Sequence, residues 1–457
     1  MTFRIMVIAL SCLFISCPYA AETSEGLRAD LEKIQQSAAI PVLALGLFDN
    51  FAVSHVWVLG NANADTPLRW GSISKTYTAM ALSHAVDARK LSWDQPIREV
   101  LEAPPWQNPW QDKHPVRFRD LAELCAGVSD LSFQEFNDNQ PHPRDEVLAT
   151  PRPILWPPGL QHSYTNVAPG LSAWVVERLT KTSFDDYMGK HVFNPLGMAG
   201  SSYSPVAGLP GGYKADGLTQ IPYWHMTFPA AGGLNASLNA MLNGLKVLLN
   251  QGERDEARVV SEATVRRMVS SGCAGASERS ISVGYGAGMY GRVRQGFVFY
   301  GHGGDADGYR SRYGLLPEHG RGYVVLINTD NPRVLRRIER RVEQFVTRDL
   351  IPKIAQEGNG EEELSRWVGR YYPSSVRFGV ARWRQGTLAA IDVSAKNGNL
   401  VFGEEPELVA MGSGRFRRQS DPVATIAFFE DSGVTYLQGE LGNYVRMDHL
   451  PAWLELN

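Results

Sequence analysis

Residues 70–78 read Trp-Gly-Ser-Ile-Ser-Lys-Thr-Tyr-Thr, and largely apolar residues recur after them at helical spacing. This pattern predicts a helix over residues 71–86 with one buried face. Positions three apart lie on the same side of a helix, with about 5–6 Å between their Cβ atoms. The hydroxyl of Ser72 and the amine of Lys75 can therefore meet at the start of this helix. A serine becomes an effective nucleophile when a base takes its proton, and a desolvated lysine can be that base. The plainer alternative is a serine N-cap followed by an exposed lysine.

A second candidate motif, Ser-Tyr-Thr-Asn, occupies residues 163–166 and precedes a helix predicted over residues 167–180. Tyr164 and Asn166 are two positions apart on a loop, so both side chains can point into one pocket. A neighbouring lysine ammonium favours the phenolate form of a tyrosine, which could deprotonate a serine. The amide of Asn166 can donate to a substrate carbonyl. The alternative is a tyrosine with a satisfied hydroxyl and an asparagine that caps the helix.

The third candidate is His302, in the sequence Gly-His-Gly-Gly-Asp at residues 301–305. We expect it at the end of a strand over residues 296–300, with its ring facing a cleft. The flanking glycines would let another backbone lie close to the strand. The alternative is a histidine that simply packs in a core or turn. Residues 305–308 lack most of an EF-hand loop, and we interpret them as a turn.

Composition and charge exclude several classes of function. The chain has 457 residues and a formal net charge of -3, which provides no basic excess for nucleic acid binding. Its length suits two domains. The ten histidines are scattered, and neither H-x-x-x-H nor C-x-x-C occurs, so we expect no metal and no other cofactor. The single G-x-G-x-x-G, at residues 286–291, has no helix after it and does not indicate a dinucleotide site.

The N-terminus has the pattern of a secretory signal peptide over residues 1–21: Arg4, an apolar run over residues 5–15, and small residues at 20–21. We therefore expect a periplasmic or secreted protein. A lipoprotein tethered to a membrane through Cys17 is the alternative. In the mature chain, Cys125 and Cys273 remain, and two buried free thiols are the interpretation we favour. Pairing stays open because sequence does not show proximity.

The remaining pattern predicts two domains, over residues 22–355 and 356–457. In the first, an early β-hairpin (41–48 and 52–59), antiparallel strands (284–290, 296–300, 309–316 and 322–328) and a long helix (334–350, stopped by Pro352) stand out. A polar stretch over residues 356–363 reads as a linker. Short strands follow and predict a small all-β barrel or sandwich; they cover residues 377–383, 388–393, 400–402, 408–411, 424–430 and 435–439.

Ser-x-x-Lys, Tyr-x-Asn and His-x-Gly occur in the order found in serine β-lactamases and penicillin-binding proteins. The chain resembles the branch with class C β-lactamases, D-aminopeptidases and related esterases. The resemblance covers roughly residues 27–328 and includes Pro-Gly at 158–159 and Ala-Gly-Gly-Leu at 231–234. It implies a mixed α/β (α+β) fold, in which a helical subdomain lies beside an antiparallel sheet with the site between them.

The resemblance also implies catalytic roles. Ser72 would attack a carbonyl and become acylated, while Lys75 and Tyr164 would share the proton as general base and then general acid. Backbone N–H groups of Ser72 and Asp305 would form the oxyanion hole.

Substrate binding is implied for a second group of residues. Asn166 would orient the substrate amide, and His302, Gly303 and Gly304 would line the strand beside which the substrate lies. The partner we expect is thus a small-molecule or peptide substrate.

The sequence departs from the family pattern in two places. Many penicillin-recognising members have Lys-Thr-Gly where this chain has His302-Gly303-Gly304, and a neutral imidazole cannot offer a substrate carboxylate a full positive charge. Histidine there is more similar to D-aminopeptidases and related peptidases or esterases. Residues 123–127, Glu-Leu-Cys-Ala-Gly, replace a frequent Thr-His-Thr-Ser-Gly, and we expect them to support packing.

These features favour a serine hydrolase that cleaves an amide or ester, chiefly a peptidase acting on small or D-amino-acid-containing peptides. A carboxylesterase with the same residues is the first alternative, and a β-lactamase or D,D-carboxypeptidase is the second. A non-catalytic binding protein is a further alternative, against which the intact Ser72, Lys75, Tyr164 and Asn166 argue.

Overall fold

The computed structural model describes residues 23–132, 135, 143–273, 281, 283–356, 358, 363–374, 390–440 and 442–446. The predicted signal peptide, with Cys17, and the predicted strand at 377–383 lie outside these ranges. No helix in the described ranges has the length and apolar character needed to cross a bilayer.

Seven antiparallel strands form the main sheet. They are β1 (Val42–Asp49), β2 (Ala52–Gly60), β3 (Gly284–Tyr285), β4 (Tyr290–Arg294), β5 (Phe297–Ala306), β6 (Tyr309–Leu316) and β7 (Arg321–Ile327). Their order across the sheet is β3-β4-β5-β6-β7-β1-β2. The chain thus returns to its first hairpin after the helical subdomain, which places β1 inside the sheet between β7 and β2.

The burial of β1 explains its central position. Its sequence is almost wholly apolar, and seven of its eight residues are buried. Because successive side chains of a strand point to opposite faces, Leu43 and Leu45 pack into one core while Val42 and Ala44 pack into the other. The sheet therefore has a hydrophobic core on each face, as the continuous apolar run requires.

Helices cover both faces of the sheet. They are α1 (Ser24–Ser37), α2 (Ser74–Ala88), α3 (Phe118–Ala122), α4 (Arg144–Leu148), α5 (Val167–Thr180), α6 (Phe184–Met188), α7 (Asn194–Leu196), α8 (Pro229–Gly232), α9 (Leu238–Leu249), α10 (Glu262–Val269) and α11 (Pro332–Val346). One face packs against α1 and α11. The other packs against the helical subdomain, in which α2 and α5 are in contact.

Short elements complete this region. Four two-stranded ribbons join Pro67–Arg69 with Asn235–Ser237, Trp106–Gln107 with Arg152–Pro153, Gly212–Tyr213 with Gln220–Ile221, and Glu253–Arg254 with Ala257–Arg258. The 3-10 turns are Gly71–Ile73, Ile97–Glu99, Pro317–His319 and Leu364–Trp367, and Gly189–Phe193 is a π-helical turn.

Helix α2 is buried on nearly every side, and only three of its fifteen residues, His84, Asp87 and Ala88, are not buried. The expectation of a single buried face was therefore too narrow. A helix buried all round lies inside a core rather than on its surface. The 3-10 turn Gly71–Ile73 precedes it, so Ser72 lies on a rigid turn at the N-terminal end of a fixed element.

The described residues of the C-terminal region form an eight-stranded, nearly closed antiparallel sheet, in agreement with the predicted all-β barrel or sandwich. Its strands are β8 (Gly369–Pro373), β9 (Ile391–Lys396), β10 (Asn399–Phe402), β11 (Val409–Gly412), β12 (Arg415–Arg417), β13 (Ile426–Asp431), β14 (Val434–Gly439) and β15 (Gly442–Arg446). Their order is β10-β9-β8-β15-β14-β13-β12-β11, and a hydrogen bond from Leu408 N to Leu400 O brings the two ends together at 2.7 Å. Phe428 lies at the centre of an aromatic core.

Several predicted boundaries were wrong. Residues 284–290 are two strands, β3 and β4, rather than one, and the long helix ends at Val346, before Pro352 is reached. Strands β8, β12 and β15 had no predicted counterpart. His302 lies within β5, where it pairs with Tyr313, and not after the end of a strand.

Cys125 and Cys273 form a disulfide, so the favoured interpretation of two free thiols was wrong. The two residues are separated by 148 positions, and only the fold brings them together. The bond connects the chain just after α3 to the segment that precedes β3.

Candidate active site

Ser72 and Lys75 meet as their spacing predicted. The Lys75 Nζ lies 3.1 Å from the Ser72 Oγ. Lys75 is 2% exposed, whereas Ser72 is half-buried and opens onto a cleft. The pair thus has a desolvated amine behind an accessible hydroxyl.

Two further oxygens surround the same amine. Nζ lies 2.8 Å from the Asn166 Oδ1 and 2.7 Å from the Ala231 carbonyl oxygen, which belongs to α8. As an ammonium, Lys75 donates three hydrogen bonds; as a neutral amine, it donates to Asn166 and Ala231 and keeps its lone pair for the Ser72 hydroxyl. Both protonation states therefore satisfy this geometry, as a proton carrier requires.

Asn166 has one engaged and one free side-chain atom. Its Oδ1 accepts from Lys75, which fixes the orientation of the amide, and its Nδ2 is buried with no hydrogen-bond partner among the residues that the structure describes. Buried polar groups are normally satisfied, so an unpartnered donor beside a cleft is the feature expected of a group that binds a ligand. The backbone N–H of Asn166 donates to the Asp130 carboxylate at 2.7 Å, which holds this loop in place.

Tyr164 lies on the same loop and faces the same amine. The Lys75 Nζ is 4.7 Å from the centre of the Tyr164 ring. Tyr164 is half-buried and lines the cleft with Ser72 and Asn166. The fold therefore places the Tyr164 side chain beside the Lys75 amine, although the two residues belong to different motifs.

The backbone of Asp305 lies against the turn that carries Ser72. Gly71 has a φ of +57°, and a Cβ added there would lie 2.7 Å from the Asp305 nitrogen. Gly304 is equally close, because its added Cβ would lie 1.9 Å from the Trp70 carbonyl oxygen. Residues 303–305 of β5 thus pass directly beside the serine, where an oxyanion hole would need them.

His302 lines the cleft as a neutral ring. Its Nδ1 lies 2.6 Å from the Gly303 carbonyl oxygen, so this nitrogen must carry the hydrogen, and its Nε2 accepts from the Tyr285 hydroxyl at 3.0 Å. Burial, and next the positive charge of Lys75, hold the pKa of His302 well below its usual value. Both ring nitrogens are thus engaged with protein groups, and no cation stands at this position.

These residues share one cleft of about 640 Å³ between the helical subdomain and the main sheet. The walls include the aromatic side chains of Tyr285, Tyr290 and Trp224, together with Met226. Arg292, Arg310 and Arg312 also line the cleft, where Arg310 pairs with Asp305 and Asp330 and Arg312 pairs with Asp305. The turn between β14 and β15 also reaches the cleft, through Gly439, Glu440 and Gly442.

Sequence reasoning missed three residues that build the site: Asp130, Tyr285 and His162. No local pattern distinguishes Asp130. Tyr285 lies in the Gly-Tyr-Gly run at 284–286, but no role was inferred for it. The His162 ring stacks on Tyr285 with centroids 4.9 Å apart, and burial lowers its pKa to about 4.

The fold and the Ser72–Lys75 pair are typical of hydrolases that use serine and lysine, and comparison with known proteins identifies the family. Residues 27–347 match the profile of the Beta-lactamase family, and the chain belongs to that family. A β-lactamase of Yersinia enterocolitica is 25% identical over 174 residues, which are 36% of this chain and 43% of that protein. An unguisins hydrolase of Aspergillus campestris is 25% identical over 146 residues, which are 30% of this chain and 27% of that protein. The chain thus spans less than half the length of these two relatives.

Solved structures confirm the fold. The octameric penicillin-binding protein homologue from Pyrococcus abyssi has a TM-score of 0.60 at 19% identity, over 93% of this chain and 100% of that chain. SurE, in a structure with D-Leu, has a TM-score of 0.58 at 18% identity, over 93% and 99%. A β-lactamase/D-alanine carboxypeptidase from Yersinia pestis, complexed with citrate, has a TM-score of 0.54 at 16% identity, over 71% and 99%.

Proposed function

We propose that this β-lactamase-family hydrolase cleaves amide bonds through an acyl-enzyme on Ser72, as a peptidase acting on small or D-amino-acid-containing peptides. The main support for this proposal is the position of the Lys75 amine, which is buried and lies 3.1 Å from the accessible hydroxyl of Ser72. The unpartnered Asn166 Nδ2 supports it, because a substrate carbonyl would satisfy that donor.

Acylation would begin once the substrate places the carbonyl group of its scissile bond in the space between Ser72 and the backbone of residues 303–305. The Ser72 Oγ forms a bond to the carbonyl carbon while its proton passes to the Lys75–Tyr164 pair. The tetrahedral oxyanion would be stabilised by the N–H groups of Ser72 and Asp305; a single such donor is typically worth about 2.7–4 kcal/mol. Collapse breaks the C–N bond, and the same pair returns the proton to the leaving nitrogen.

Deacylation would replace the leaving amine by water. Water attacks the ester carbonyl, the ester C–O bond breaks, and the acid is released with the serine proton restored. The cleft beside Ser72 has room for water and for both substrate arms, at about 640 Å³.

The side chains that line the cleft indicate the class of substrate. A neutral His302 with both nitrogens engaged does not supply the cation that a dedicated penicillin binder uses for a carboxylate. Residues 302–306 of β5, which extend beyond its pairing with β4, and the aromatic side chains of the cleft suit a short peptide that lies beside the strand. Among similar proteins, one has a structure with D-Leu, one is named a D-alanine carboxypeptidase, and one an unguisins hydrolase.

A substrate panel tests the proposal on wild type and Ser72→Ala. D-amino-acid amides, short acyl esters and a chromogenic cephalosporin should be compared by kcat/KM. We expect the amides to be preferred and all turnover to disappear in the variant. Preferred ester turnover would indicate a carboxylesterase instead, and dominant cephalosporin turnover would contradict the argument from His302.

A further inference from the structure

The loop that carries Tyr164 is held by the C-terminal sheet. Two buried amides of that sheet donate to carbonyl oxygens of the loop. The Gln438 Nε2 donates to Leu160 at 3.1 Å, and the Asn443 Nδ2 donates to His162 at 2.6 Å. Tyr164 follows two residues later, so the sheet fixes the backbone immediately before the proposed proton carrier.

The residue between these two contacts is also bound to the sheet. The Gln161 Nε2 donates to the Ser374 carbonyl at 3.1 Å, and the Ser374 hydroxyl donates back to Gln161 Oε1 at 2.5 Å. Gln161 and Ser374 are both 0% exposed. Each of three consecutive residues, 160–162, is therefore hydrogen-bonded across a buried interface.

Apolar packing closes the same interface. Trp156 and Leu160 of the loop pack with Phe429, Tyr436 and Val445 of the C-terminal sheet. Burying aliphatic and aromatic surface of this kind contributes roughly 1.5–3 kcal/mol per side chain. The interface is thus a hydrophobic core with specific polar contacts, rather than a loose touch between domains.

On its other side, the loop rests on the chain after α3. Gly159 N donates to Cys125 O and Ser163 N donates to Leu124 O, each at 2.9 Å. Residues 160–162 have no strand ladder of their own, so these contacts and those to the C-terminal sheet determine where the loop lies.

A displacement of this loop would reach the site by two routes. First, Tyr164 follows His162 by two residues along the chain. Second, the His162 ring stacks on Tyr285. Tyr285 in turn lies edge-on to Tyr164, with centroids 6.4 Å apart, and donates to His302. The contact between Asn443 and His162 therefore lies behind both the proposed proton carrier and one wall of the cleft.

We propose that Asn443 and Gln438 are positioning residues for the reaction, and that the C-terminal sheet is a working part of the active site because it sets the position of Tyr164. This inference rests on the role proposed above for Tyr164. Misplacement of a catalytic group by about 1 Å can cost on the order of a hundredfold in rate. The effect should therefore appear in the acylation step and not in the binding of substrate.

Asn443→Asp tests the inference with almost no change of shape. The variant loses the N–H donor and places a carboxylate against the His162 carbonyl oxygen. We expect the rate of Ser72 labelling by a serine-reactive probe to fall roughly ten- to a hundredfold at saturating probe, with half-saturation unchanged. Asn399→Asp is the matched control, because its Nδ2 donates to Glu407 at 3.0 Å elsewhere on the same sheet. The control should label at the wild-type rate.

A double-mutant cycle with Tyr164→Phe separates positioning from general damage. If Asn443 acts through the Tyr164 hydroxyl, Asn443→Asp should change the labelling rate less than twofold in the Tyr164→Phe background. An equal loss in both backgrounds, or no loss in the wild-type background, would overturn the inference. Should Asn443→Asp fail to fold, Gln438→Met removes the neighbouring donor and carries the same expectations. Absence of labelling in the wild type would instead refute the proposed function itself.

Discussion

At the scale of single residues, the site depends on the oxygen atoms placed around the Lys75 amine. The Lys75 Nζ lies within 3.1 Å of the Ser72 Oγ, the Asn166 Oδ1 and the Ala231 carbonyl oxygen. Asn166 gives one amide atom to Lys75 and keeps the other unpartnered. The spacing of Ser72 and Lys75 was readable from the sequence because it is local. The contacts of Asn166, Tyr164 and His302 were not, since they join residues more than 90 positions from Ser72.

Lys75→Met tests the amine directly. It keeps the length and apolar stem of the side chain and removes the proton carrier, so acylation of Ser72 should slow by about a hundredfold or more. The rate of covalent labelling is the measurement. Lys90→Met, at the exposed end of the same helical segment, is the matched control and should label normally. Equal rates in the two variants would contradict the role of Lys75.

Gly71→Ala tests the approach of the serine turn to β5. The substitution imposes a φ of +57° on a residue with a Cβ and drives that atom toward the Asp305 nitrogen. We expect a loss of roughly 1–3 kcal/mol in the free energy of unfolding, together with slower acylation. Gly200→Ala is the control, since it has a φ of +75° but no heavy atom within 4 Å of the added Cβ. A comparable loss in both variants would show that only backbone strain is involved.

His162 predicts a dependence of stability on pH. Burial lowers its pKa to about 4, from 6.5 in the unfolded chain, so the unfolded chain binds the proton more readily between these values. Burial of the neutral His162 ring therefore contributes fully to the free energy of unfolding above about pH 6.5. This contribution is lost as the pH falls toward 4, by up to roughly 3 kcal/mol. Urea unfolding from pH 7 to pH 4 should show the stability difference between wild type and His162→Gln shrinking. A difference that stays constant would refute this.

At the scale of elements, the strongly patterned segments were predictable and the glycine-rich ones were not. Helices α2 and α5, and strands β1, β2 and β6, lie close to where apolar periodicity put them. The predicted strand ended at residue 300, before the glycine-rich residues 301–304. The observed strand β5 continues through them to Ala306. In the fold, Gly304 is required where β5 meets the Trp70 carbonyl, so a functional constraint overrides local propensity.

The Cys125–Cys273 disulfide adds an element-scale prediction. It closes a loop of 148 residues, and removing such a bond from a folded chain typically costs about 2–4 kcal/mol. The double variant Cys125→Ser/Cys273→Ser should melt at a lower temperature than wild type under oxidising conditions. Reductant should lower the melting temperature of wild type alone. A variant as stable as oxidised wild type would contradict the pairing.

At the scale of the whole molecule, the sequence indicated two regions but not how they are joined. Composition and short strands revealed the C-terminal sheet, and its boundary at residue 355 stays a prediction. The interface was hidden because its members, such as Gln161 and Ser374, are 213 positions apart and polar. Neither hydrophobic periodicity nor a motif marks such pairs. The resemblance covered the candidate catalytic residues of the first region only, and the structure adds Gly439, Glu440 and Gly442 to the same cleft.

The central claim is that Ser72 is the residue that becomes acylated. The most direct measurement is mass spectrometry of the intact protein and its peptides after reaction with a serine-reactive probe. The account predicts a single added mass on the peptide that contains Ser72, and none in Ser72→Ala. An adduct that persists in Ser72→Ala, on any other residue, would contradict it.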